Sequence, residues 1–118
     1  MSGFASLSLL FTGSEDNASE IKDNLNKYFS QNSLAIGKLV GQDFSQLSNP
    51  NVIEILFSAD LTEIHLVALA QWFGCRFALF ENGIWKRYGK WNNFKTYLPI
   101  VLMEKKDGKY SPIFSLKE

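Results

Sequence analysis

Asp60-Leu61-Thr62-Glu63-Ile64-His65-Leu66-Val67-Ala68-Leu69-Ala70-Gln71-Trp72-Phe73-Gly74-Cys75-Arg76-Phe77-Ala78-Leu79-Phe80-Glu81-Asn82-Gly83-Ile84-Trp85 is the stretch that decides the fold. Its first half has apolar residues three and four apart: Leu61, Ile64, Leu66, Val67, Ala68, Ala70 and Phe73 give a wide helical face. Asp60 is placed to cap this helix, with Glu63 three residues on to complete a capping box. Gly74 is the expected stop, since glycine enters the left-handed C′ conformation without strain. The period then changes to two. Residues 75–81 read as a strand, Asn82-Gly83 as a two-residue hairpin turn and 84–88 as the return strand.

Working outward, two more strands are expected at about 97–103 and 109–115, joined by a tight turn at Asp107-Gly108. Pro99 and Pro112 donate no ladder bond and belong at an edge or bulge. Between the strand pairs, 89–96 reads as a loop whose Trp91 and Phe94 fold back onto the sheet. Upstream the pattern is helical. Phe4, Leu7 and Leu10 or Phe11 share a face that ends at Thr12-Gly13. Ser14, Asp16 or Asn17 caps a second helix that buries Ile21, Leu25, Tyr28 and Phe29 and ends near Asn32. Residues 33–40 suit a short helix weakened at Gly37 by about 1 kcal/mol relative to alanine. Phe44 and Leu47 anchor the polar stretch that follows, and Pro50 opens one more short helix. The expected fold is α+β, with N-terminal helices packed on a C-terminal antiparallel β-meander.

Composition narrows the function. Twelve basic and twelve acidic residues give no net charge, which argues against a nucleic-acid binder. The 46% apolar content and ten phenylalanines are enough for a core. A single cysteine allows no internal disulfide and suits a reducing compartment, so an intracellular location, cytoplasmic or nuclear, is expected. No apolar run reaches the roughly 20 residues of a membrane span. His65 is the only histidine, so no zinc set forms, and no metal or other cofactor is expected. It reads as a partly buried or surface helix residue. Cys75 follows a helix C-terminus, where the dipole disfavours a thiolate, and reads as core. No phosphate-cradling glycine loop is present.

In order and spacing, these segments resemble the OTU (ovarian tumour) family of papain-like cysteine proteases, most of which remove ubiquitin. Leu7 to Asn17 is similar to the family's first helix and its "Leu-Thr-Gly-Ser" turn, and Ser19-Glu20-Ile21-Lys22 to the start of its second helix. Ala59 to Ala70 resembles the family's "Trp-Gly-x-x-Glu-Ile-x-Leu-x-Ala-Leu-Ala" helix. Phe77 to Phe80 with Trp85 resembles the hairpin after it. Leu98 to Leu102 and Gly108 to Ile113 resemble the closing strands. The resemblance implies one OTU-like domain over 1–118.

It also implies where a catalytic site would lie. The family's nucleophile stands in Asp-Gly-Asn-Cys before the first helix, a position that falls on Ser2, with the acid-glycine pair ahead of Met1. Its base stands in His-Tyr-Asp (or Asn) on the last strand, which here reads Lys109-Tyr110-Ser111. A serine needs a neutral base to take its proton, and an exposed lysine ammonium only donates. The expectation is therefore a catalytically degenerate OTU-like domain that binds a protein partner, ubiquitin being the first candidate, with Trp85, Arg87, Trp91 and Tyr110 as binding residues. Two alternatives stand beside it. One is an active ubiquitin hydrolase whose N-terminus is trimmed or mutated. The other is a scaffold subunit using Trp85, Trp91 and Phe94 rimmed by Lys86, Arg87 and Lys90.

Overall fold

Ser2 opens the first helix by accepting a hydrogen bond from the backbone N–H of Ala5 at 3.1 Å. A computed structural model of the chain describes residues 1–91 and 99–114. Among these, helices α1 (Gly3–Thr12), α2 (Ala18–Gln31), α3 (Ser33–Val40), α4 (Pro50–Leu56) and α5 (Glu63–Phe73) precede strands β1 (Arg76–Glu81), β2 (Ile84–Tyr88), β3 (Ile100–Lys106) and β4 (Lys109–Ile113). The order of helices and strands is the one expected, and the fold class is α+β.

The helix at the heart of the chain starts later than its sequence suggests. Thr62, not Asp60, is the N-cap of α5, and its box partner is His65 rather than Glu63: Thr62 Oγ1 accepts from His65 N, while His65 Nδ1 accepts from Thr62 N. Gly74 ends α5 in the left-handed conformation, as read. Gly37 has a different role from the one expected. A Cβ there would lie 2.5 Å from Gln42 O and 3.0 Å from Phe44 N, so its missing side chain lets the chain after α3 fold back tightly. That return seats Phe44 (1% exposed) edge-on against Phe29, whereas Leu47 is exposed and anchors nothing.

The sheet order is β2-β1-β3-β4. Two pairings are antiparallel, with Leu79 opposite Lys86 and Lys105 opposite Tyr110. The third, β1 with β3, is parallel and sets Leu79 opposite Met103. The sheet is thus two hairpins side by side, not a simple meander. The residues supply the reason. β1 is apolar on both faces, and Phe77, Ala78 and Leu79 are buried, which suits a central strand. β2 carries Lys86 and Arg87 and suits an edge. β3 therefore pairs with the free side of β1, where Arg76 N donates to Pro99 O at 2.8 Å. Gly89 lets the chain just after β2 lie close against the start of β1: its φ is +96°, and a Cβ would meet Cys75 O at 2.7 Å.

Leu7, Leu25, Phe29, Ile36, Val52, Leu66 and Leu69 from the five helices meet Phe77, Leu79, Met103 and Tyr110 of the sheet in one core. Each large side chain so buried contributes about 1.5–3 kcal/mol. β3 and β4 begin at Ile100 and Lys109, so the β3 start expected at 97 falls partly outside the described residues, as does the end of β4 beyond 114.

Candidate functional site

The sequence-predicted site residues fall at the two opposite edges of the sheet. At one edge, α1 begins beside β4. Tyr110 N donates to Met1 O at 2.7 Å, which brings Ser2 and Lys109 to the same end of the molecule. Ser2, Lys109 and Ser111 are all exposed. Tyr110 lies between the two β4 residues but faces the other way. It is 4% exposed, and its hydroxyl donates to Leu61 O at 3.3 Å. Tyr110 is therefore a core residue rather than a surface for binding. Strand alternation with exposed Lys109 and Ser111 is the sequence signal that reveals this.

The N–H groups of Gly3 and Ala5 at the start of α1 are already engaged. Asp60 Oδ1 accepts from Gly3 N at 2.8 Å and from Leu61 N at 2.7 Å, and Ala5 N is taken by Ser2 Oγ. Gly3 is pressed so closely on Leu61 that a Cβ would collide with the leucine side chain. Asp60, read from sequence as a cap for α5, thus holds the N-terminus of α1, 57 residues away. A carboxylate accepting from the first turn suits the positive end of the helix. It also takes one of the donors that could otherwise meet a developing oxyanion.

His65 is not at this edge in any usable form. It is fully buried, with its ring packed edge-on against Phe4 at 5.2 Å. Nδ1 accepts from Thr62 N at 3.0 Å, which leaves the proton on Nε2, and that N–H faces Asn26 Oδ1 at 2.8 Å. Asn26 in turn donates to Leu56 O at 3.2 Å. Burial, with a smaller contribution from the Lys22 charge, lowers the imidazole pKa from 6.5 to about 4. The ring is a neutral tie between α2 and α5, more deeply placed than its sequence suggests. Asn26, its partner, carries no local sequence signal. Cys75 is buried, and burial raises its thiol pKa, so it is core as read.

At the other edge, β2 gathers three of the four residues expected to bind. Trp85 is 39% exposed and packs on Phe80 at 5.0 Å. Arg87 lies 5.3 Å over the ring of Trp91, whose Nε1 donates to Tyr88 O at 2.9 Å. Trp91 does fold back on the sheet. Phe94 lies outside the described residues. On the helix-covered face, Lys86 bridges Glu81 at 3.1 Å and Glu63 at 3.7 Å, and Tyr88 donates to Glu63 at 2.9 Å. Burial, helped by Glu63, raises the Tyr88 pKa and keeps the phenol a donor. A shallow recess of about 410 Å³ between α4 and α5 has Phe44, Ile55 and Ile64 among its walls with Glu54, Ser58, Thr62 and Glu63. Both hydroxyls serve the backbone: Ser58 Oγ donates to Asp60 O at 2.6 Å and Thr62 Oγ1 caps α5. Among the described residues, no three His, Cys, Asp or Glu side chains are placed to hold a metal ion, and no helix is long and apolar enough to cross a membrane.

No family model matches the sequence, and no curated protein matches it. Its structure is similar to solved ones. The OTU domain of OTUD1 superposes with a TM-score of 0.70 at 14% identity, over 95% of this chain and 77% of that one. The viral OTU domain protease from Dera Ghazi Khan virus gives 0.63 at 16% identity, over 92% of this chain and 70% of that one. The viral OTU domain protease from Qalyub virus gives 0.58 at 15%, over 93% and 76%. The chain has the OTU-type fold.

Proposed function

We propose that this OTU-type fold is a protein-interaction module without hydrolase chemistry, and that ubiquitin is its first candidate partner. One observation carries the reading. Where α1 meets β4, the residues that resemblance assigns to nucleophile, base and orienting acid are Ser2, Lys109 and Ser111, while the only imidazole in the chain has both nitrogens engaged inside the core. An exposed ammonium has no lone pair with which to take a serine proton. Asp60 already occupies the Gly3 N–H at the helix start. The OTU fold of the solved proteins supports ubiquitin as the partner to test.

The test has two arms. A ubiquitin carrying a C-terminal fluorophore should give no release above background, and isotope-labelled ubiquitin titrated with the protein should show saturable amide shifts. Release that disappears in Ser2→Ala would overturn the first half of the proposal. A flat titration would overturn the second.

A further inference from the structure

We propose that the outer edge of β2 is a strand-addition site for an extended acidic segment of a partner protein. The two edges of the sheet are not equivalent. In a hairpin with a two-residue turn, the residues flanking the turn exchange backbone hydrogen bonds, and every second pair does so thereafter. In β3–β4 that places the Lys106–Lys109 and Glu104–Ser111 pairs inward and turns the backbone groups of Tyr110 and Pro112 outward. Tyr110 N is already bonded to Met1 O, and Pro112 has no N–H. The β4 edge is closed.

In β1–β2, the pairs Glu81–Ile84, Leu79–Lys86 and Phe77–Tyr88 bond inward, which turns the N–H and C=O of Trp85 and Arg87 outward. Among the described residues no strand pairs with that side, and β2 contains neither proline nor bulge. Exposed, extended backbone of this kind binds another strand by completing the ladder.

Charge selects the occupant. Residues 84–90 hold Lys86, Arg87 and Lys90 and no acid. Lys86 points to the helix-covered face, where Glu81 and Glu63 already bridge it, and Arg87 points to the other, so an incoming strand meets the guanidinium on the face that carries Trp85. Trp85 and Ile84, both exposed, offer apolar contact beside them. A second copy of this chain is disfavoured in two registers. Antiparallel pairing of β2 with itself centred on residue 86 sets Lys86 against Lys86, and centred on residue 87 it sets Arg87 against Arg87, and like charges directly opposite are destabilising. The register centred on Trp85 opposes Lys86 to Ile84 and is decided by the test. An acidic strand meets no such repulsion. This surface lies across the sheet from Ser2 and Lys109, so the inference holds whether or not the chain binds or hydrolyses ubiquitin.

The test is an amide-resolved titration of the whole chain with a short acetylated peptide alternating Glu and Val, set against one alternating Lys and Val. The acidic peptide should shift the Trp85 and Arg87 amides, and the basic one should not. Arg87→Pro removes an outward N–H that the β1–β2 ladder does not use, a position where an edge strand accepts proline. It should cost roughly tenfold or more in affinity with a nearly unchanged melting temperature. Arg87→Glu should lose the acidic peptide and retain the fold. Equal shifts from both peptides, shifts confined to other elements, full binding by Arg87→Pro, or dimerisation through β2 in ultracentrifugation would each overturn the proposal.

Discussion

Protonating His65 would undo its arrangement at Nδ1 and place a charge in the core. Nδ1 would turn a second proton toward the Thr62 N–H, and the new charge would be buried and repelled by Lys22. The folded imidazole takes its proton only near pH 4, whereas a free one does so at 6.5. Between those values the unfolded chain binds more protons, so stability is full above about pH 6.5 and falls as pH drops toward about 4. The total is worth about 3 kcal/mol, of which about 2 should be lost by about pH 5. Urea melts across this range should show the slope in the natural chain and lose it in His65→Gln, which should also be less stable at neutral pH because Asn26 and Thr62 lose their partner. An equal slope in both proteins would refute the assignment. The burial of this one residue has two further effects. It removes the chain's sole candidate base from any cleft, and it makes α5 dependent on a residue of α2.

At the scale of elements, Gly37 separates two accounts of α3. Helix propensity alone says that Gly37→Ala should stabilise by about 1 kcal/mol. The close approach of Gln42 O and Phe44 N says that it should destabilise, by about 1–2 kcal/mol net, because the turn that seats Phe44 must shift. Thermal melting decides: a higher melting temperature in the alanine variant would mean that the return after α3 is loose. The contrast with Gly74, Asn82-Gly83 and Asp107-Gly108 shows which features the sequence discloses. Those three signals act on their own neighbours, and the backbone there takes the left-handed conformations that such residues favour. Gly37 answers to residues five and seven positions on, and Asp60 to Gly3, so neither effect is written in the local pattern. Asp60 looks like a cap because it is one, but for α1 and from a distance.

At the scale of the molecule, the helices-then-strands order and the class of the fold follow from the change in apolar period at Gly74. The strand order does not. A turn signal specifies which strands pair across it, and 89–99 contains none that could say whether β3 joins β1 or β2. The answer lies in composition: Phe77, Ala78 and Leu79 need cover on both faces, while Lys86 and Arg87 need water. The candidate site is legible to the same degree. Ser2, Lys109 and Ser111 are found by position along the chain, and Trp85, Arg87 and Trp91 do come together at one edge. Tyr110 turns inward because its strand alternates.

The parallel seam between β1 and β3 also sets an order in time. Each hairpin closes a loop of two residues, whereas the seam joins Arg76 to Ile100 across a much longer stretch of chain, and closing it costs more entropy. The β1–β2 hairpin should form early and the seam late, near or after the rate-limiting barrier. Gly83→Ala, which strains the first turn, should then mainly slow folding. Met103→Ala, which empties the seam where it meets Leu79, should mainly speed unfolding, within a total loss of about 2–5 kcal/mol. Stopped-flow chevrons measure both arms, and the reverse partition would place the seam in the nucleus. A chain built this way is vulnerable through how fast its two hairpins come apart, not how readily either one forms.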